Sequence, residues 1–426
     1  MSTVDAIVIG SGPNGLVAAA TLADAGWDVL VLEAQDTPGG AVRSTELFPG
    51  YQCDLYSAFY PLAIASPAIT ELHLEDFGLK WARSTYAVGH PQGPDDDDAP
   101  VISPDPTDTA ADLDRRAPGD GQRWLELVRE WDTLKAPLLR ALLSPVSSVR
   151  GPLGLLRTLG TARGLRFARF LSLPANRMAQ ELFRGEAARL LLLGNATHAD
   201  VPLDAPGSGV MGYLLTMLAQ DGGYPAPVGG SGQLTAALIH RMESAGAELE
   251  CSQPVVGIDI RSGRARGVRT ASGRYIAARK AVIADTSALS LYRDLLAAHS
   301  LPTHLRDDLD RFEWDTPTVK VNYALSQKVP WKSTRLRDAG TVHLGADRHG
   351  LIRMNADLST GVIPSSPFLL CGQMTTTDPT RSPEGTENFW AYSHLPRGVT
   401  DDDSANYLAD RMDAVLGSHA PGFSRA

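Results

Sequence analysis

Asp5-Ala6-Ile7-Val8-Ile9-Gly10-Ser11-Gly12-Pro13-Asn14-Gly15 decides the fold. Asp5 to Ile9 is a short apolar strand, and Gly10, Gly12 and Gly15 make a G-x-G-x-x-G turn. Residues 16–25 read as an Ala-rich helix stopped by Gly26. Residues 27–32 are a second apolar strand that ends at Glu33 and Ala34. Together they form the pattern of a dinucleotide-binding βαβ unit. Gly10 permits the tight turn, Gly12 lets the backbone approach a pyrophosphate, and Gly15 lets helix and strand pack closely. Pro13 and Asn14 lie in the turn that leads into the helix. The helix offers free N–H groups and the positive end of its dipole to phosphate.

Glu33 stands 18 residues after Gly15. An acid there accepts hydrogen bonds from an unphosphorylated ribose, which favours FAD or NAD over NADP. Pro38-Gly39-Gly40-Ala41-Val42-Arg43-Ser44 then separates the two. A second Gly pair makes another close backbone approach, and Arg43 supplies a charge for a diphosphate. A simple NAD domain has no need of this element. It resembles the G-G-x-x-R-S segment of flavoproteins in the phytoene desaturase and amine oxidase group, so the expected cofactor is FAD.

The chain has 426 residues, which suggests two domains. A formal charge of −10 argues against a nucleic-acid partner. Cys53, Cys251 and Cys371 are far apart in sequence. That spacing supplies neither a C-x-x-C redox pair nor a zinc motif, so no metal is expected. The first strand begins at residue 5, which leaves no room for a targeting segment, and no run is apolar enough to span a bilayer. The expectation is a cytoplasmic protein.

Residues 90–120 read as a polar interruption, and Asp95 to Asp98 within it as a solvated loop. Residues 121–220 are mostly helical, with apolar residues at helical spacing between Gln122 and Leu143. Residues 133–180 hold eight basic residues and no acid. Helices packed on the body with a solvated basic face are the favoured reading, and contact with a membrane surface the other.

Nucleotide-domain character returns at Pro227 to Leu234, followed by a helix over 233–245. Strands follow at 248–251, 255–260 and 279–286. The expected architecture is α/β: a discontinuous Rossmann-like FAD-binding domain over residues 1–70 and 225–290. A second domain, mixed sheet plus helices, takes residues 71–224 and 291–426 for the substrate. Val319, Val321, Tyr323 and Leu325 alternate with Lys320, Asn322 and Ala324, as on a half-buried strand. Strands are also expected at 368–373 and 389–394, and a helix over 401–416.

These pieces, in this order, resemble the phytoene desaturase-like flavoproteins over nearly the whole chain. The branch most similar is that of pyridine nucleotide-disulfide oxidoreductase domain-containing protein 2. The resemblance implies that the Val255 backbone touches adenine and that Ala284, Asp285 and Thr286 line the flavin side. The stretch Thr318 to Tyr323, with Pro330-Trp331 after it, is similar to an amine oxidase strand whose lysine holds a water near the flavin N5. That role would fall to Lys320. The alternation alone favours an outward lysine, and with the resemblance the two readings stand level. The family also carries a Gly-rich strand–helix element near its C-terminus that closes the flavin site. Residues 421–426 do not supply it, so the expectation is weak flavin retention.

The expected function is an FAD-dependent oxidoreductase that takes hydride from a small apolar substrate and passes electrons to oxygen, a quinone or another carrier. The alternatives are an amine oxidase-type enzyme and a non-catalytic binding protein of the same fold.

Overall fold

Residues 2–143, 164–165, 167–297 and 301–426 are described by a computed structural model. Its centre is the strand Ser2–Ile9, whose Ala6, Ile7 and Val8 are fully buried. Such a run, apolar on both faces, suits the middle of a covered parallel sheet. On one side it pairs in parallel with Val29–Leu32, which pairs in turn with Glu248–Glu250. On the other it pairs in parallel with Tyr275–Ala284. Arg264–Thr270 and Val255–Arg261 complete this six-stranded sheet as an antiparallel meander.

Side chains alternate between the two faces. Ala6, Val8, Val29 and Val31 pack under the helices Pro13–Asp24 and Gly232–Ser244. Ile7, Ile9, Leu30 and Leu32 form a smaller core with Val268, Ile276 and Leu295.

A second six-stranded sheet runs Thr318–Leu325, Glu387–His394, Leu369–Gln373, Ala339–Leu344, Tyr86–Gly89 and Val101–Ile102. One face packs the helix Asp402–His419 through Leu408, Met412 and Leu416. The other face, with Val88, Leu370 and Trp390, packs against helices that include Asp120–Leu142, Glu186–Ala196 and Ser208–Gly222.

The polar interruption contains more than loop. It holds the strand Val101–Ile102 and the helix Pro106–Arg116, whose first turn is capped by Asp105 accepting from the Thr107 amide. Three of the four acids are tied down, and Asp97 is exposed. Asp96 accepts from the Gln92 and Asp98 amides, Asp98 pairs with Arg115 and Arg116, and Asp95 pairs with Lys332. No acid or histidine cluster fit for a metal occurs among the described residues. All three cysteines are free thiols.

Arg150, Arg157, Arg163 and Arg166 of the basic stretch lie outside the described residues. Of the others, Lys135 pairs with Asp221, and Arg169 and Arg177 share Glu181. No helix among the described residues is long and apolar enough to cross a membrane.

Candidate active site

The parallel strands of the first sheet end together, and their backbone pairing continues one residue further. Gly10 donates to Leu32, Glu33 to Glu250 and Asp285 to Ile9. This aligns Gly10, Glu33 and Asp285 at the carboxyl edge, where open α/β sheets bind ligands. A cleft of about 550 Å³ opens there, lined by Gly10, Gly12, Pro13, Glu33, Ala34 and Gly40. Val255, Asp285 and Thr286 close its far wall.

Gly10 has φ +96°, which favours glycine. Gly12 and Gly40 approach backbone to backbone: a Cβ on Gly40 would stand 3.1 Å from the Gly12 Cα. The Glu33 carboxylate accepts from the Ser11 amide at 2.8 Å, the Ser11 hydroxyl at 2.6 Å and the Gln35 amide at 2.9 Å. Burial pushes its pKa up, but these hydrogen bonds outweigh burial and hold it below the ordinary value. A carboxylate has about four acceptor positions, so roughly one remains for a ribose hydroxyl.

Not every expected residue faces this cleft. Asn14 is exposed on the first helical turn. Ala284 ends its strand, and Asp285 and Thr286 after it do the lining. Gly15 lies beneath, its amide bonded to Asp285. Gly39 donates to the backbone and hydroxyl oxygens of Ser11, which fixes the second glycine turn to the first. Ser44 is committed elsewhere: its hydroxyl donates to Asp54 at 2.8 Å and accepts from the Gly232 amide at 2.8 Å. Ser44 therefore shapes the wall and leaves no hydroxyl for a cofactor. Arg43 does have capacity. One guanidinium nitrogen donates to the Tyr56 hydroxyl, while its buried Nε has no partner. Arg43 does not line the cleft itself, but it follows the lining residues Gly40 and Ala41 closely in sequence; the glycine cradle fits a diphosphate, and the orphaned Arg43 donor fits an anion.

Lys320 points inward. Its ammonium donates to the backbone oxygens of Asp54 at 2.6 Å and Tyr56 at 2.8 Å, and sits 5.0 Å from the centre of the Trp390 ring. Burial lowers its pKa to about 8, partly opposed by Asp54. One of three N–H donors remains. The polar side of this alternating strand is thus covered by the 51–57 segment rather than by water. Asp54 anchors that segment through a fully buried ion pair with Arg381 at 2.7 Å.

Beside Lys320 lies a second cavity of about 350 Å³, bounded by Tyr56, Phe59, Tyr60, His198, Trp390 and Tyr392. Trp390 and Tyr392 stack with rings 5.9 Å apart and 10° from parallel. Sequence reasoning missed these residues and Asp54. The alternation of Asn388, Trp390, Tyr392 and His394 along one strand was the available signal.

With the geometry in place, comparison with known proteins is informative. Residues 14–386 match the family described as flavin containing amine oxidoreductase. Pyridine nucleotide-disulfide oxidoreductase domain-containing protein 2 of Rattus norvegicus is 25% identical, over 99% of this chain and 80% of its own. A neurosporene-forming phytoene desaturase of Cereibacter sphaeroides is 25% identical, over 92% and 73%. A solved oxidoreductase from Methanosarcina mazei has the same fold, with a TM-score of 0.63, 16% identity and coverage of 99% and 85%.

Proposed function

The chain belongs to the flavin containing amine oxidoreductase family and is an FAD-dependent oxidoreductase; on that premise we propose where the cofactor sits and what is oxidised. The turn at Gly10 and Gly12, the second glycine turn at Gly40 and the Pro13 helix start hold the diphosphate, with Arg43 as counter-charge. Glu33 holds a ribose hydroxyl, and the Val255 backbone meets the adenine. FAD, when bound, supplies a two-electron acceptor for a hydride.

The substrate binds in the aromatic cavity. No acid lines it among the described residues. Lys320 and Arg43 stand against its lining residues Trp390 and Tyr56, while the acids closest to Tyr60 and Tyr392 are already engaged, Asp54 with Arg381 and Asp200 with His394, so a neutral, largely apolar molecule is favoured over an ammonium ion. Lys320 stands at one edge. Its remaining N–H holds a water or polarises a developing negative charge there. Tyr56, Phe59 and Trp390 exclude bulk solvent and orient the substrate. Electrons leave to oxygen, a quinone or another carrier.

The observation that carries this reading is the inward Lys320 ammonium, fixed between two carbonyl oxygens and against Tyr56 and Trp390, which line an apolar cavity. The test is anaerobic bleaching of the flavin absorbance by a panel of neutral cyclic alkenes that carry a carbonyl or hydroxyl group and of primary amines. Bleaching by the alkenes is expected. Bleaching by the amines alone would replace this reading with an amine oxidase.

A further inference from the structure

The cavity floor is one face of the second sheet, and strand register orders its side chains into rows. His343, Leu370, Tyr392 and Lys320 stand opposite one another across four strands. The next row is Thr341, Gly372, Trp390 and Asn322.

That second row is unusual in its hydrogen bonding. Thr341 Oγ1, Trp390 Nε1 and Asn322 Oδ1 are all buried without a partner. Buried polar groups in native proteins nearly always have one, and a lone one calls for an explanation. Thr341 is fully buried and Trp390 is 4% exposed, and both line the cavity.

The two donors lie close together. The Trp390 indole crosses over Gly372, whose added Cβ would stand 2.5 Å from Nε1. Gly372 is the cross-strand neighbour of Thr341. The indole N–H and the threonine hydroxyl therefore occupy adjacent places on one patch of floor. His198 lines the same cavity, held by its Nε2 against the His343 Nε2 at 2.9 Å. The Gly372 strand lies two strand spacings, roughly 10 Å, from the Lys320 strand.

We infer that this patch is an oxygen-recognition site. The Trp390 Nε1–H and the Thr341 hydroxyl donate to a carbonyl or hydroxyl oxygen of a neutral substrate. Its apolar body lies along Trp390 and Tyr392 toward Lys320. The inference rests on the reading that this cavity holds the substrate, and it narrows the substrate class to an oxygenated apolar molecule. The oxygen lies away from the bond that is oxidised. A pure hydrocarbon would leave both donors unpaired, and the penalty for that is the basis of discrimination.

The test uses two rigid probes that differ by one carbonyl, camphor and its parent hydrocarbon bornane. Their dissociation constants are measured by ligand-observed NMR on the purified protein. Thr341→Val keeps the shape and removes the hydroxyl, while Trp390→Phe removes the indole N–H. Thr341→Val is expected to weaken camphor roughly three- to tenfold and to leave bornane within about twofold, and Trp390→Phe, which also trims apolar contact, to weaken camphor more than bornane. The inference is overturned if camphor is unaffected in Thr341→Val, if both probes weaken together, or if neither binds the parent. Thr341→Val decides the matter if Trp390→Phe fails to fold. Flavin absorbance of the same samples reads the FAD assignment separately. A protein that neither carries FAD nor takes it up when FAD is added would sink that assignment, and the camphor–bornane difference would still decide this one.

Discussion

The Asp285 carboxylate accepts a hydrogen bond from the Gly15 amide at 2.9 Å, joining two residues 270 positions apart. It caps the helix that begins at Pro13 and packs against the glycine turn. A Cβ on Gly12 would stand 2.6 Å from its Oδ2. Gly12 at the N-cap has no side chain to do this work. Asp285→Ala should therefore cost about 1–2 kcal/mol of stability. Urea unfolding of the cofactor-free protein measures it, and an unchanged midpoint would show that the cap is dispensable.

Glu33 is held ionised by three donors from Ser11 and Gln35. Its folded pKa lies below the ordinary 4.5, so its contribution to stability is complete above that value. The contribution is lost as pH falls through the lower folded pKa. Glu33→Gln places an amide N–H₂ against donors and should cost about 2 kcal/mol at neutral pH. The gap from the parent should close in acid. A gap independent of pH would contradict this.

Lys320 carries two measurable signatures. Its folded pKa, about 8, lies below the ordinary 10.5, so the unfolded chain binds more protons between these values. Stability should rise with pH across that window in the parent and not in Lys320→Met. The variant removes a desolvated charge and orphans the Asp54 and Tyr56 carbonyls, opposing effects that leave its melting temperature near the parent's. With a substrate in hand, the rate of flavin reduction should show a break near pH 8 that the variant lacks. The same break in Lys320→Met would assign it to another group.

Gly372 is a glycine because the Trp390 ring lies over it, 2.2 Å from where a Cβ would be. Gly372→Ala must push the indole aside, an overpacking cost of about 1–3 kcal/mol. A thermal melt reads this directly. No change in melting temperature would mean that the indole moves freely.

The first sheet and its cleft were legible because their signal is local. Gly10 to Glu33 encodes strand, turn, helix and acid within one short stretch, and periodicity reads such stretches well. The direction of Lys320 was not legible. Alternation assigns it to the face opposite Val319 and Val321. What covers that face, the 51–57 segment, is set by the Asp54–Arg381 pair between residues 327 apart. The partners of the Ser44 hydroxyl were not legible for the same reason: Asp54 and Gly232 come from distant segments. The row Thr341, Gly372, Trp390 and Asn322 depends on the register of four strands, which no single stretch encodes.

The central claim is that the cleft between Gly12, Glu33 and Asp285 holds FAD. Titrating the flavin-free chain with FAD, followed by quenching of flavin fluorescence, tests it most directly. Gly12→Val is run beside the parent, with circular dichroism as a check on folding. The parent should saturate at about one FAD per chain, and Gly12→Val, whose Cβ would meet the Asp285 carboxylate at 2.6 Å and force the glycine turn apart, should show no saturable binding. Equal binding by a folded Gly12→Val would contradict the assignment and place the flavin elsewhere.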